Sequence, residues 1–571
     1  MDEFLSYMLT ASKYVLILLS IAVLVRCLRS MLSEKYESEV WAYLRFGKET
    51  LPVSHWENTL GRSAGADVRI DRPGVSRIHA ILKRSDRGVW TIYDVFNKNG
   101  VWVNGLKVGI QGMNLDSGDV INLAGTTVRF QDITTDKRRK LEEQRTSAGK
   151  SVSPFVTLLE LTVLQCFLLV QHSMTASAEH LPGVALAFAA LLAMEWALYV
   201  AMRLIGRSGF EIETLAFYLT TLGMSVAASS TPQDMFKQVL LTLAAVVLFL
   251  LFGWWLRNLR RTTFIRGVVA AGALALLAVN VAASDVLLGA RNWLELGGYS
   301  FQPSEFVKVA YLYVGASTLD RLYRRRNLFV FIAFSAVCVG ALALIGDFGT
   351  ALIFFSCFLV ISFMRSGSIA TVLLAVTGAG MAGILAVSVK PYIAQRFANW
   401  GHVWEDVYNT GYQQTRAMSA AAAGGLFGKG AGAGWLKTVF AANTDLVFGM
   451  VCEELGLIVA VCMVMAVLAL AFFAVRSARH GRSAYYAIAA CAAMGMLMVQ
   501  MALNVFGSMD LLPFTGVTFP FVSRGGSSLL SCWMLMAYLK GADNRRGASF
   551  VVRPVHEIEE YEVVQDLGEE R

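Results

Sequence analysis

Apolar runs long enough to cross a bilayer recur through most of this 571-residue chain, near 154–172, 181–204, 210–228, 235–256, 265–288, 304–321, 328–345, 348–364, 368–388, 447–474, 483–507 and 519–541. About 20 consecutive apolar residues cross the hydrocarbon layer, and within lipid only a helix or a closed barrel satisfies its own backbone. The expectation is a polytopic α-helical membrane protein. The net charge of +8 does not indicate nucleic acid, because the basic residues stand in short clusters after alternate runs, such as Arg203/Arg207, Arg257/Arg260/Arg261/Arg266 and Arg476/Arg479/Arg482. Such clusters mark cytoplasmic loops. The alternation predicts residues 289–303, 389–446 and 508–518 outside the cell and the C-terminus inside, with 546–571 an acidic, disordered tail. All 8 cysteines lie in or beside apolar segments without CxxC spacing, so neither a disulfide framework nor a zinc site is expected.

The N-terminal part departs from this pattern. Tyr14–Val25 is apolar, preceded by Asp2 and Glu3 and followed by Arg26, Arg29 and Lys35, which predicts a membrane anchor over 1–31 with its N-terminus outside. Residues 45–132 are polar and Gly-rich, with short alternating runs (AILKRS, VWTIYDV, VWVNG, TTVRFQD) between turn signals. That spacing predicts an all-β sandwich inserted on the cytoplasmic side. The charged stretch within 133–153 (DKRRKLEEQRTSAGK) reads as a flexible linker.

Polar residues concentrate in the outward loops. In GARNWLELGGYSFQPSEFVKVA, Glu305 and Lys308 are three apart on a helix that Pro303 and Ser304 start, so they are expected to pair toward the bundle interior. Asp347 adds a carboxylate between two runs. Loop 389–446 carries aromatic residues throughout and is expected to be ordered against the membrane. Its GGLFGKGAGAG is like a phosphate-binding loop, but Ala423 and Gly430 break the Walker pattern around Lys429. Close backbone approach to a ligand and an ordinary flexible turn both stay open for it. Asp445 ends the loop immediately before an apolar run, where an ionisable group is costly unless used. A helix-capping role for it is the alternative.

GARNWLELGGYSFQPSEFVK, DFGTAL, GYQQTRAMSAAAAGGLFGKG, NTDLVFGMVCEELG and LLPFTGVTFPFVSRGGSSLL occur in this order and resemble the SEDS proteins (shape, elongation, division and sporulation). The resemblance implies a core of about ten spans over 205–545, with about three extra N-terminal spans, two of them in 154–204. It also implies a peptidoglycan glycosyltransferase of the bacterial plasma membrane that polymerises lipid II at the outer leaflet, paired with a class B penicillin-binding transpeptidase. Asp445 is then the essential catalytic residue, suited to act as general base on the acceptor hydroxyl. An undecaprenyl diphosphate leaving group calls for cations, for which Arg291, Lys308, Arg396 and Lys429 are candidates, with Glu305 orienting Lys308 and Asp347 in the cavity. Many members have two basic residues where this chain has Arg291-Asn292, Gln-Ser at Arg416-Ala417, and Tyr at Arg524. No metal-ligand spacing is visible and no cofactor is implied, while a divalent cation on the diphosphate stays open.

Gly61-Arg62, Ser76-Arg77-Ile78-His79, Asn97-Lys98-Asn99-Gly100 and Val103-Asn104-Gly105 resemble the forkhead-associated (FHA) pattern, which implies a phosphothreonine-binding domain. Arg62 offers a charge-assisted fork, Ser76 a hydroxyl and Asn99 contacts to the peptide backbone, while Gly61, His79 and Asn104 shape the loops. Partners implied are lipid II, the transpeptidase, a phosphothreonine protein and the membrane, with no nucleic acid. A transporter of lipid-linked precursors and a non-catalytic scaffold are the competing readings. Thr134, Thr135 and Thr146 are conceivable self-ligands of the FHA domain.

Overall fold

The computed structural model describes residues 2–33, 39–63, 66–85, 88–95, 98–145, 147–284, 292–296, 299–319, 325–366, 369–389 and 391–552. Helix α1 (Asp2–Ser33) is longer than the apolar stretch within it. The β domain follows as β1 (Ala42–Phe46), β2 (Glu49–Val53), β3 (Glu57–Gly61), β4 (Val68–Arg69), β5 (Ala80–Arg84), β6 (Trp90–Asp94), β7 (Val101–Val103), β8 (Leu106–Lys107), β9 (Met113–Leu115), β10 (Val120–Leu123) and β11 (Thr126–Asp132). These form two sheets, in the orders β2-β1-β11-β10-β7-β8 and β4-β3-β5-β6-β9. Alternate residues point inward, so that Leu44, Leu82, Ile92, Ile121, Val128 and Phe130 are buried, and Trp90 meets Phe130 edge to face at 5.7 Å.

The charged stretch after the sandwich is a helix, α2 (Thr135–Gln144), rather than a flexible linker. Its cations lie on β-domain rings, Lys137 over Tyr43 at 4.6 Å and Arg138 over Trp41 at 4.5 Å. Composition signalled the charges, but the aromatic faces that order them belong to β1 and its preceding residue.

The membrane part runs α3 (Pro154–Thr175), α4 (Leu181–Leu204), α5 (Glu211–Ser230), α6 (Met235–Leu256), α7 (Leu259–Ala283), a hairpin of β12 (Leu294–Leu296) and β13 (Tyr299–Phe301), then α8 (Pro303–Leu319), α9 (Arg325–Ile345), α10 (Phe348–Ser366) and α11 (Ile369–Val389). It continues with α12 (Pro391–Asn399), α13 (Tyr412–Gly424), α14 (Ala442–Asp445), α15 (Val447–Leu455), α16 (Leu457–Arg479), α17 (Ala484–Ser508) and α18 (Gly526–Ala542). Among the described residues, nine helices are long and apolar enough to cross a membrane, so the chain is a multi-pass membrane protein. Helix α5 is buried from Glu211 to Ser229, enclosed by its neighbours on every face.

Several expected runs shift by a few residues, as 265–288 does to Leu259–Ala283, and two are interrupted or shortened. The run 447–474 breaks into α15 and α16 at Gly456, whose φ is +93° and whose missing Cβ would lie 2.4 Å from the Leu426 carbonyl oxygen. Only glycine accepts both that conformation and that approach. The run 519–541 becomes helical only at Gly526, because the residues before it form an irregular loop that closes over the Asp445 turn.

Helix α16 separates two polar regions, with Asp445 beyond its N-terminal end and the β domain at its other end, ~34 Å away for its 23 residues. At the β-domain end the arginines are ion-pair partners rather than solvated loop charges. Arg545 meets Glu211 at 2.9 Å and Asp543 at 2.8 Å, Lys540 meets Glu213 at 2.9 Å, and Arg482 meets Glu39 at 2.5 Å. The tail expected from 546 begins with ordered chain, as Phe550 packs on Phe249 at 5.8 Å and Arg257 donates to the Phe550 carbonyl at 2.6 Å. Residues 553–571 lie outside the described residues.

Candidate functional site

Asp445 closes the short helix α14, which the chain enters through Ala441 in the left-handed region (φ 56°). Helix α15 then starts from Leu446 without a side-chain cap, so Asp445 has no capping duty there. Helix α17 and the loop before α18 hold the turn. Asn504 on α17 donates to the Asp445 carbonyl at 3.1 Å and to that of Val517 at 2.8 Å. Ser523 donates to the Thr444 carbonyl at 2.5 Å, and the Arg524 backbone N–H to that of Asn443 at 2.8 Å. Gly516, at φ +68°, brings loop backbone against the carboxylate, since a Cβ there would lie 3.3 Å from Asp445 Oδ2. Burial pushes the Asp445 carboxyl up to about 6, against a Thr444 hydrogen bond and the Arg396 charge, which pull it down.

Glu305 and Lys308 pair at 2.6 Å as expected, but both are buried. Gln500, one turn before Asn504 on α17, accepts from Lys308 Nζ at 2.9 Å and donates to the Thr518 carbonyl at 3.0 Å. Ser531 donates to Glu305 at 2.5 Å. Lys308 therefore lies behind the 513–525 loop as part of its support. Asp347 caps α10, accepting from the Thr350 N–H at 2.9 Å and hydroxyl at 2.7 Å. Arg396 is exposed on α12 and acts on Asp445 through its charge. Arg291 lies outside the described residues.

The glycine-rich loop wraps anions, and they are the chain's own. Glu453 accepts from Lys429 Nζ at 2.7 Å and from the backbone N–H groups of Trp435 at 3.1 Å and Leu436 at 2.9 Å. Glu454 accepts from the Gly432 N–H at 2.9 Å and from Ser229 at 2.6 Å. A Cβ on Gly434 would sit 2.8 Å from Glu453 Oε2, and one on Gly428 would sit 2.3 Å from the Glu454 carbonyl oxygen. The loop resembles a phosphate cradle because it performs the same task for two buried carboxylates. Helix α3 clasps it from outside, Gln171 accepting from the Ala431 N–H at 2.8 Å and Thr175 donating to the Ala431 carbonyl at 2.9 Å.

In the β domain Arg62 is exposed at the end of β3, its backbone N–H donating to the Ser76 carbonyl at 3.0 Å. His79 is fully buried, accepting the Ser76 N–H at 3.0 Å through Nδ1 and reaching the Gly100 carbonyl at 3.0 Å through Nε2. It joins the Ser76 loop to the Asn99 loop. Asn99 is exposed and donates to the Gly74 carbonyl at 3.1 Å. Gly61 is obligatory, since a Cβ would stand 2.3 Å from the Arg77 carbonyl oxygen. Asn104 takes φ 50° and accepts from the Val120 N–H at 2.9 Å. A cleft of about 340 Å³ adjoins Asn99 and is lined by Trp102, Asn122, Gly125 and Thr127 among others.

The domain docks on the membrane part by its opposite end. Trp56 donates its N–H to the Arg482 carbonyl at 2.6 Å, His55 meets the Gly481 carbonyl, and the Ala484 N–H donates to Glu57 at 3.3 Å. Since β3 runs from Glu57 to Gly61, the Arg62 end points away from the dock. Thr134 follows β11, whose seven residues rise ~23 Å from the Gly125 turn, so it sits far from Asn99 and Ser76.

Gln500, Asn504, Thr518 and Ser523 were not singled out from sequence. Gln500 and Asn504, four apart inside an apolar run, carried the available signal, because amides at that spacing share a helix face.

Residues 183–546 match the family described as Cell cycle protein (FtsW, RodA, SpoVE), and residues 58–124 match the FHA domain. The peptidoglycan glycosyltransferase RodA of Mycobacterium tuberculosis is 30% identical over 322 residues, covering 53% of this chain and 69% of that protein. The stage V sporulation protein E of Bacillus subtilis is 32% identical over 262 residues, covering 44% and 69%. A chain of a solved peptidoglycan synthase complex, studied for its coordination of polymerization and crosslinking, is 26% identical, covering 59% of this chain and 98% of its own, with a TM-score of 0.48. With nearly two thirds of its length in one match, the chain belongs to the FtsW/RodA/SpoVE family of cell cycle proteins and carries an FHA domain ahead of that region.

Proposed function

We propose that the chain is a peptidoglycan glycosyltransferase that polymerises lipid II, with Asp445 as general base. The 4-hydroxyl oxygen of the acceptor sugar attacks the anomeric carbon of the donor. The bond from that carbon to the phosphate oxygen breaks, undecaprenyl diphosphate leaves with the electron pair, and Asp445 takes the hydroxyl proton. The supporting observation is the Asp445 carboxyl itself, pushed up to about 6 by burial, carried on a turn whose main-chain carbonyls are held by Asn504, Ser523 and the Arg524 N–H, and free of capping work. A base whose pKa lies near the working pH combines the ionised form with useful proton affinity.

The Asp445 end is assigned outside the cell and the β domain inside, in line with Arg476, Arg479, Arg482, Lys540 and Arg545 at the β-domain end. The FHA domain then presents Arg62, Ser76 and Asn99 to a phosphothreonine protein in the cytoplasm, and a class B transpeptidase cross-links the product. A transporter would use mobile charges in the bundle, but Glu305 and Lys308 are paired with each other and Asp347 caps a helix. The test is lipid II polymerisation by purified protein, alone and with its transpeptidase. Wild type should yield glycan strands and Asp445→Ala none, whereas equal yields from both would reject the assignment.

A further inference from the structure

The leaving diphosphate needs a cation, and two of the expected ones are engaged elsewhere. Lys308 is buried with Glu305 and Gln500, and Lys429 is bound to Glu453. Beside the Asp445 turn stands a different guanidinium. Arg524 is fixed through its backbone N–H to the Asn443 carbonyl at 2.8 Å, and the preceding Ser523 is fixed to Thr444. Its side chain remains 30% exposed and pairs with Asp234, which is 43% exposed. Asp234 occupies the N-cap position of α6 yet makes no side-chain cap bond, so its carboxylate is committed to Arg524 instead of to the helix.

An ion pair this exposed adds little stability. It does hold a planar guanidinium on the residue next to the Asp445 turn, with donors beyond the one facing Asp234. The 17-residue helix α18 begins immediately afterward from Gly525, without a side-chain cap, so the N–H groups of its first turn also favour an anion there. We propose that Arg524 receives the diphosphate of the lipid-linked donor, and that Asp234 is the counter-ion it exchanges for that diphosphate. This rests on the glycosyltransferase reading. Phosphate oxygens accept two parallel bonds from the guanidinium fork, which stabilise the charge growing on the leaving oxygen as the anomeric bond breaks.

A structural tie and a diphosphate receptor predict different signs. If the pair merely braces the loop, Arg524→Ala and Asp234→Asn remove the same contact and act alike. If Arg524 takes the diphosphate, Asp234 competes with it and the two variants act in opposite directions. The experiment uses full-length protein, measuring kcat and KM for lipid II and inhibition by inorganic pyrophosphate. Expected for Arg524→Ala is a rise of about tenfold in KM and in the pyrophosphate inhibition constant. Arg524→Lys should fall between, and Asp234→Asn should lower both several-fold. Shifts of the same sign in Arg524→Ala and Asp234→Asn, or no shift in pyrophosphate inhibition, overturn the proposal. If wild type forms no polymer, the glycosyltransferase reading fails. Direct calorimetric binding of pyrophosphate to wild type, Arg524→Ala and Asp234→Asn still judges the anion site by the same opposition of signs.

Discussion

Lys429 and Glu453 form one ion pair at 2.7 Å, and the carboxylate of that pair also receives two backbone N–H groups of the loop that carries the lysine. The two partners are therefore unequal. Lys429→Ala removes a partly exposed cation but leaves the buried Glu453 carboxylate on its two backbone donors, and should cost about 1–2 kcal/mol. Glu453→Ala strands the N–H groups of Trp435 and Leu436 as well, for a loss of about 3 kcal/mol or more. Thermal unfolding of the two variants, with glycan synthesis alongside, checks the order; a larger loss in Lys429→Ala would contradict it.

Asp445 sets a pH dependence with a definite sign. As a base it must be ionised, so kcat/KM should climb with pH, reach half its plateau near pH 6 and flatten above. Stability runs the other way. The folded carboxyl holds its proton more tightly than the unfolded one, whose ordinary value is 3.8, so ionisation destabilises the fold as pH rises through this window. Asp445→Asn should unfold at a higher temperature than wild type at pH 7, the difference vanishing toward pH 4.

Helix α3 lies ahead of the matched family region, yet it contacts the glycine-rich loop directly. Gln171 spans from Ala431 to Ser12 of α1, to which it donates at 2.9 Å. Gln171→Leu leaves the Ala431 N–H without its acceptor and should cost about 1–3 kcal/mol. Faster proteolysis within residues 425–436 would report the loosened clasp, and an unchanged cleavage rate would show that the loop holds without it.

Glu39 ties the β domain to the membrane part by meeting both Arg145 and Arg482 at 2.5 Å. Burial alone would raise its carboxyl, but the two arginines hold it down at about 2. A depressed folded value means the contribution is complete above the unfolded value of 4.5 and is lost as pH falls toward 2. Glu39→Ala should cost about 3 kcal/mol at pH 7. Hydrogen exchange at residues 481–484 should accelerate, while peptide affinity at the far end of the sandwich holds.

Arg62→Ala should weaken binding of a phosphothreonine peptide to the full chain at least tenfold, with the unphosphorylated peptide as the control. His79→Ala should do the same indirectly, by releasing the Ser76 loop from the Asn99 loop. Calorimetry separates the two, since only the histidine variant should also lower the unfolding temperature of the domain.

Much of the architecture was readable because periodicity is local. The runs 181–204 and 235–256 coincide with α4 and α6 to the residue, and the sandwich lies where the alternating runs stood. What escaped depends on distant partners. Gly456 is one residue in an apolar run, and its break follows from the approach of Leu426. Glu453 and Glu454 lie inside the apolar run 447–474, and nothing in that run shows the loop that encloses them. The charges of α2 announced a linker, and their order comes from rings of the sandwich. Asp445 was legible because its position at a loop end is itself a sequence property, whereas Gln500 and Asn504 gain meaning only beside Lys308 and Val517.

The sandwich stands on the bundle by the Trp56 end of β3, and in the function proposed above it meets peptides at the Arg62 end, a rise of ~17 Å over the five residues of that strand. Height becomes a filter on what can be read. A phosphothreonine within the first few residues after a neighbouring membrane helix falls below the recognition loops, since an extended chain climbs only ~3.5 Å per residue. One placed about five or more residues into a cytoplasmic tail comes level with them. On that reading the distance from bilayer to phosphosite, independent of the sequence around it, would select which neighbours in the membrane this chain holds.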